Sequence, residues 1–339
     1  GIVTMIPKGG GAGLVVTSAG DMRPITLLSE LGKLTSRVLA DRVSTIFANE
    51  PCLLHISQRA FQRNGDTGQC VDVALDVLED ARQAGTDVYC LSYDQAKAYD
   101  SVQQYTIECT LRSFGFPDTA VRFFSSTLSD AQSAVSTWHG PTDPFPVRTS
   151  VRQGDPFAPI LFIMIADVLH RGYTDGSAGD VGAIGYQFKH GRRTRVASCG
   201  YADDVLIFAE SRETLEDMHQ WTRAFFGAHC FRLSTKKTVL LATNTSGLQH
   251  RFFGVDGRVA IEPKPASSAF RYLGVKISLD LSWEAEIGRM NSRVCHVAAC
   301  IRNHGMNCAS GADAVNSYLV PQLDLGLRVI PHSTSSRSC

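Results

Sequence analysis

The stretch Val196-Ala197-Ser198-Cys199-Gly200-Tyr201-Ala202-Asp203-Asp204-Val205-Leu206-Ile207-Phe208-Ala209 decides the fold. Its apolar runs, 196–201 and 205–209, flank Ala202-Asp203-Asp204 and read as two strands joined by a tight turn. Two adjacent carboxylates at such a tip are costly unless a cation neutralises them. Successive side chains alternate across a strand, so the neighbours point apart. One is then free to aim at a metal while the other supports it. Asp-Asp pairs are also common in ordinary turns, so the pair needs company.

That company stands upstream. Thr86–Tyr93 is a short β-rich run that Asp94 ends, followed by Gln95-Ala96-Lys97-Ala98-Tyr99-Asp100. If this strand lies beside the hairpin, Asp94 meets Asp203 across the sheet. Oxygen ligands of this kind suit Mg²⁺, which takes few carboxylates and completes its octahedron with water and substrate phosphates. Asp100 is either a third ligand or an N-terminal helix cap, and the helix that begins there favours the cap.

Outward from this core, residues 27–49, 67–84, 103–115, 118–132, 156–171, 212–228, 284–304 and 311–319 have helical character. Residues 238–242 and 270–277 read as strands, 137–147 as turns or a hairpin, and 186–195 as a basic hairpin. Long helices and short strands without a regular βαβ rhythm predict an α+β fold. Gly9–Gly20 is glycine-rich, but no Gly-Lys-Ser/Thr follows, which excludes a phosphate-cradling loop of the Walker type.

With 44% hydrophobic and 19% charged residues, the chain can bury a core. Its 33 basic and 33 acidic residues balance, which argues against a dedicated basic nucleic-acid module. The balance is uneven, however. Residues 64–130 hold 4 basic and 11 acidic side chains, net −7, while 1–63 are net +3. An acidic stretch between basic flanks suits a cation-dependent site with polyanion-binding walls, although a solvated acidic surface gives the same skew. Ten cysteines without a CxxC pair point to a reducing compartment. No secretory leader is expected. The apolar run from Pro159 meets Asp167 and is too short to span a bilayer, so no membrane partner is expected.

Tyr201-Ala202-Asp203-Asp204 with the upstream Asp94-to-Asp100 segment resembles the palm of a reverse transcriptase. Further motifs follow in that family's order. Met5-Ile6-Pro7-Lys8, Arg23-Pro24-Ile25-Thr26-Leu27-Leu28 and Gly32-Lys33 resemble the opening motifs of LINE-type, non-LTR retrotransposon enzymes. Gln58-Arg59-Ala60-Phe61 resembles the next, and Ser92 through Val102 resembles motif A. Arg152-Gln153-Gly154-Asp155-Pro156-Phe157-Ala158-Pro159 resembles motif B, Lys236-Lys237-Thr238 motif D, and Tyr272-Leu273-Gly274-Val275 motif E. The matches run from residue 5 to 275, about four-fifths of the chain. Ala60 and Ser150 stand where Gly is usual, Ala158 where Ser is usual, Ser234 where Asn is usual, and Tyr99 where Phe is commoner.

The resemblance implies a right-hand polymerase: fingers over 1–86 and palm over 87–275, with part of the fingers inserted at about 118–148. The start of a thumb would fill 276–339, with a disordered tail. It implies RNA-directed DNA polymerisation of dNTPs onto a DNA primer along an RNA template. Asp94, Asp203 and Asp204 would hold two Mg²⁺ ions, with Mn²⁺ a possible substitute. Lys237 would protonate the leaving pyrophosphate. Arg23 would grip the triphosphate, helped by Lys8. Gln153 and Gly154 would line the dNTP pocket, and Tyr99 would exclude a ribose 2′-hydroxyl. Tyr272, Leu273 and Gly274 would form a primer grip. Arg192 and Arg193, near Lys189, His190 and Arg195, would touch backbone phosphates. An endonuclease domain is expected elsewhere in a full-length protein acting inside the cell, in cytoplasm and nucleus. The other reading is a catalytically eroded or domesticated relative that only binds nucleic acid. His296, Cys300, His304 and Cys308 recur at four-residue steps and read as a helix face in the thumb rather than a zinc site.

Overall fold

The computed structural model describes residues 2–7, 22–129, 131–174, 184–191, 194–246, 248, 252, 257 and 259–330. Lys8, Arg192, Arg193, the whole glycine-rich segment Gly9–Gly20 and the chain's last residues lie outside the described residues, as do the expectations attached to them. In chain order the elements begin with β1 (Ile2–Pro7), β2 (Met22–Leu27), α1 (Glu30–Asn49), α2 (Thr67–Ala84), β3 (Tyr89–Tyr93), β4 (Gln95–Ala96) and α3 (Ala98–Ser101). Next come α4 (Gln104–Ser113), α5 (Asp118–Ser129), β5 (Gln132–Thr137), β6 (Gly140–Pro141), β7 (Phe145–Pro146), α6 (Ala158–Thr174), β8 (Tyr186–Gln187) and β9 (Arg195–Val196). The hairpin β10 (Ser198–Tyr201) and β11 (Asp204–Ala209) leads into α7 (Arg212–Ala228), β12 (Arg232–Leu233), β13 (Val239–Ala242) and β14 (Pro263–Pro265). The remainder is β15 (Phe270–Tyr272), β16 (Val275–Ile277), α8 (Glu284–Asn303), α9 (Cys308–Ala314) and α10 (Val320–Val329).

The central sheet runs β10-β11-β3-β13-β14. Period-two alternation decides which residue serves which face. Leu91 and Tyr93 of β3, Val205, Ile207 and Ala209 of β11, and Leu240 of β13 enter one core with α6 and α7. Cys90, Leu206, Phe208 and Leu241 enter a second core with Val71, Ala74, Val77 and Leu78 of α2. Each fully buried Leu, Ile, Val or Phe stabilises by roughly 1.5–3 kcal/mol, so a sheet covered on both faces is a rigid platform.

The helices end where local chemistry ends them. Asp66 caps α2, its carboxylate accepting from Gln69 N, and Gly85 closes that helix in the left-handed conformation. Ser211 caps α7 by accepting from Thr214 N. α6 is apolar nearly all round because it is buried nearly all round. Its one buried acid, Asp167, accepts from His55 N and pairs with Arg171, whose guanidinium also donates to the carbonyls of Cys52 and Leu53. That network ties the connection after α1 to the palm side of the molecule. Among the described residues, no helix is long and apolar enough to cross a membrane.

Four expectations change. β1 and β2 form an antiparallel pair where the sequence suggested only motif residues, and β1 pairs in parallel with β5. The helix expected over 118–132 stops at Ser129, because the chain is needed as β5. The strand expected over 270–277 is a hairpin, with Leu273 and Gly274 at φ of +47° and +97° as its turn. The helix expected over 311–319 is α9 followed by a π turn over Val315–Leu319 that runs into α10.

Candidate nucleotidyl-transfer cleft

Strand order alone assembles most of the site. β3 pairs with β11, placing Tyr93 opposite Val205, so Asp94 follows directly at the strand end beside Asp204 and the hairpin turn. The chain then turns through Lys97, at φ +51°, into α3, which carries Tyr99 and Asp100. Asp100 thus lies inside a short helix rather than capping one, because the αL residue Lys97 already occupies the N-cap.

β12 pairs with β4, and the turn beyond it closes on motif A. Ser234 N donates to the Asp94 carbonyl at 2.8 Å, and Lys237 N and Thr238 N both donate to Ser234 O. This brings Lys237 Nζ to 3.3 Å from Asp94 Oδ2. On the opposite wall, Thr26 N donates to Gln153 O at 2.6 Å, so β2 and motif B close together. Gly154, at φ +111°, permits that approach, since a Cβ there would stand 2.5 Å from Thr26 O.

The result is an open cleft of about 960 Å³, lined among others by Arg23, Asp94, Tyr99, Gln153, Gly154, Asp203, Asp204 and Lys237. Eight positions singled out from sequence therefore share one cleft. The electrostatics are those of crowded carboxylates. Although Asp204 as a whole is exposed, partial desolvation beside the crowded turn pushes its carboxyl up to about 6, assisted by repulsion from Asp203 and Asp94 and opposed by Lys237 and Arg271. Burial and the charge of Asp94 raise Asp203 as well, against Lys237 and Arg23. Tyr99 is half-buried, its ring stacked on Phe162 at 4.9 Å. Burial and the nearby Asp203 charge push its phenol upward.

Among the described residues, no three His, Cys, Asp or Glu side chains form a ready-made metal centre. The three aspartates line the cleft without converging as a three-carboxylate cage. Mg²⁺ binds through one or two carboxylates and completes its shell with water and phosphate, so this donor set of hard, mutually repelling oxygens fits a divalent ion that arrives with substrate. Among the described residues, the cysteines and histidines along α8 and α9 likewise gather no centre. Cys300 Sγ lies 3.7 Å from His296 Nε2, and His304 turns to the Cys300 carbonyl.

Other predicted contacts are placed elsewhere. Tyr272 is 2% exposed, and its hydroxyl donates to Cys199 O at 3.1 Å, so its ring belongs to the palm core and only Leu273 and Gly274 are half-exposed at the hairpin tip. In the basic hairpin, Lys189 pairs with Glu210 and His190 with Asp80. Both side chains thus have partners within the protein. Sequence reasoning missed the role of Gln58, which contacts the carboxylate turn itself.

Fold and cleft together define a polymerase palm, and the comparisons agree. The chain belongs to the reverse transcriptase (RNA-dependent DNA polymerase) family, whose model matches residues 6–277. It is 25% identical over 334 residues to the Pol polyprotein of the type-1 retrotransposable element R2 from Popillia japonica, covering 96% of this chain and 44% of that protein. It is 26% identical over 217 residues to the corresponding R2DM protein of Drosophila melanogaster, covering 64% of this chain and 19% of that protein. It is also 25% identical over 290 residues to the transposon TX1 149 kDa protein of Xenopus laevis, covering 84% of this chain and 19% of that protein. The chain thus spans less than half the length of these relatives. A solved telomerase of Candida tropicalis, in complex with a telomeric RNA fragment, superposes with a TM-score of 0.52 at 12% identity, covering 83% of this chain and 44% of that one. At that identity the likeness concerns the fold alone, the α+β right-hand arrangement of a reverse transcriptase.

Proposed function

We propose that this chain is the polymerase core of a non-LTR retrotransposon protein and adds dNTPs to a DNA primer 3′-hydroxyl along an RNA template. The observation that carries the reading is the single cleft shared by Asp94, Asp203, Asp204, Lys237, Arg23, Tyr99, Gln153 and Gly154. In the reaction the primer 3′-oxygen gives up its proton and bonds to the α-phosphorus. The bond to the bridging oxygen breaks, and pyrophosphate leaves. Arg23 grips the triphosphate from β2, where a planar guanidinium suits two phosphate oxygens. Gln153 and Gly154 bring the motif B backbone against the nucleotide. Tyr99, held flat on Phe162, blocks a 2′-hydroxyl. Lys237, poised beside Asp94, gives charge or a proton to the leaving pyrophosphate. Asp94, Asp203 and Asp204 would hold two Mg²⁺ ions, or Mn²⁺ in their place, which supply charge neutralisation for attack and departure.

In this reading residues 1–86 are fingers and 87–275 palm, with a fingers insertion at about 118–148, and the thumb starts at 276. The pairing of β5 with β1 supports that insertion. An intracellular route through cytoplasm and nucleus, and an endonuclease domain elsewhere in the full-length protein, belong to the same proposal. The test is primer extension on poly(rA) with an oligo(dT) primer and Mg²⁺. Asp203→Asn keeps the side-chain size but removes an anionic ligand, and extension is expected to fall at least ~10²–10³-fold. Its melting temperature is expected to hold or rise, because repulsion from Asp94 and Asp204 is relieved. Extension by Asp203→Asn at the wild-type rate would overturn the proposal.

A further inference from the structure

Ala202 lies at φ +56°, inside the left-handed region, at the tip of the carboxylate hairpin. A residue with a Cβ holds that conformation only where its surroundings enforce it. The enforcing group is 144 positions upstream. Gln58 Oε1 accepts from Ala202 N at 3.0 Å, and Gln58 Nε2 donates to Ala202 O at 3.4 Å. One side-chain amide therefore engages both backbone groups of the strained residue. The amide is itself fixed, because Oε1 also accepts from Ala60 N at 3.0 Å and the side chain is 1% exposed. The backbone around it is tied to the same hairpin. Arg59 N donates to Gly200 O at 3.0 Å, and Gly200 N donates to Ser57 O at 2.8 Å.

From this geometry we infer that Gln58 is a positioning residue for nucleotidyl transfer: its amide clamps Ala202 in the left-handed conformation and so aims Asp203 at the cleft. The inference rests on the polymerase reading above. Gln58 does not line the cleft and acts through the turn. It contributes nothing to holding the triphosphate, because Arg23, Gln153 and Gly154 lie on the other wall. Its loss should therefore appear in kcat and leave the dNTP KM in place. A glutamine that merely filled space in the core would show no dependence on what residue stands at 202.

The experiment compares wild type, Gln58→Met, Ala202→Gly and the double variant by primer extension. Amide exchange of residues 199–205 is followed by mass spectrometry alongside. Met keeps the length and removes every hydrogen bond. Gln58→Met is expected to lower kcat by about 10–100-fold, the range that misplacement by about 1 Å produces, with dNTP KM unchanged within about threefold. Exchange across 199–205 should quicken by about tenfold. Glycine accepts the left-handed conformation without a clamp, so on the Ala202→Gly background the same exchange of Gln58 should cost less than about threefold. Equal losses on both backgrounds, or unchanged exchange, would overturn the inference. Should Gln58→Met fail to fold, Gln58→Glu retains the acceptor for both amides, and exchange at the turn between the wild-type and unfolded rates is expected; wild-type protection in that variant would also overturn it. A wild-type chain that extends no primer would sink the polymerase reading, and the exchange comparison would still decide the clamp.

Discussion

Gly154→Ala probes the contact on which the nucleotide wall depends. The new Cβ would stand 2.5 Å from Thr26 O, against an ordinary contact of at least 3.4 Å, so motif B and β2 must part by about 0.9 Å. Thr26 O is backbone, which cannot swing aside as a side chain can. Two costs add. Alanine at φ +111° is strained by about 1–3 kcal/mol. The Thr26 N to Gln153 O bond, at 2.6 Å, is stretched or lost, for about 0.5–1.5 kcal/mol net. Urea unfolding should therefore show a loss of about 1.5–4.5 kcal/mol, with the slope unchanged. Arg23 on β2 and Gln153 on motif B move apart together, so kcat/KM for dNTP in primer extension should fall by more than about tenfold. Stability within about 0.5 kcal/mol of wild type, with an unaltered dNTP KM, would mean that the two segments do not close as described.

Two further outcomes are expected. Ser150 stands at φ +114°, a conformation that glycine adopts without strain, so Ser150→Gly should stabilise the protein by about 1 kcal/mol in urea unfolding; a loss of stability would contradict this. Asp80 accepts from Tyr186 Oη, Lys189 N, His190 N and His190 Nδ1, and these bonds outweigh burial to hold its carboxyl at about 2. A depressed acid stabilises fully above its unfolded value near 3.8 and loses that contribution as pH falls towards 2. The stability gap between wild type and Asp80→Asn should narrow by about 1–2 kcal/mol between pH 5 and pH 2, after allowance for water at the hairpin. A gap independent of pH would refute it.

Legibility followed the range of the interaction. The helix over 212–228 was readable from its own periodicity, and so were the strands around Asp203, because alternation is a local property. β1 and β2 were not, since neither carries a clear alternation and the partner β5 lies more than a hundred residues along the chain. β14 is Pro263-Lys264-Pro265, which no strand preference predicts and which only a sheet edge tolerates. The hairpin turn at Leu273 was hidden because leucine does not announce a positive φ. At the cleft, the aspartates were legible by residue type and spacing. The approach of Lys237 to Asp94 was not, and neither was the grasp of Gln58 on Ala202, because an amide that reads a backbone leaves no pattern in its own neighbourhood.

Several departures from local rules gather at the cleft. Lys97, Ser150, Ala202 and Gly154 all have positive φ, and each lies in the cleft or in the segments that line it. The carboxyl pKa values of Asp203 and Asp204 are raised at the same place. Elsewhere the central strands alternate, and the positive φ of Cys230 and Leu273 falls in tight turns. Strained backbone costs of order 1–3 kcal/mol per residue, and several such residues together would open a weakly built turn. They persist here because the sheet beneath them is packed on both faces, and because Gln58, Ser57 and Arg59 grip the hairpin from its outer edge. The division of labour is physical. The two cores supply a surplus of stability, and the hairpin spends part of it on keeping carboxylates closer together than water alone would allow. A catalytic turn of this kind has to be held from outside its own sequence, and the residue that holds it is for that reason found only in three dimensions.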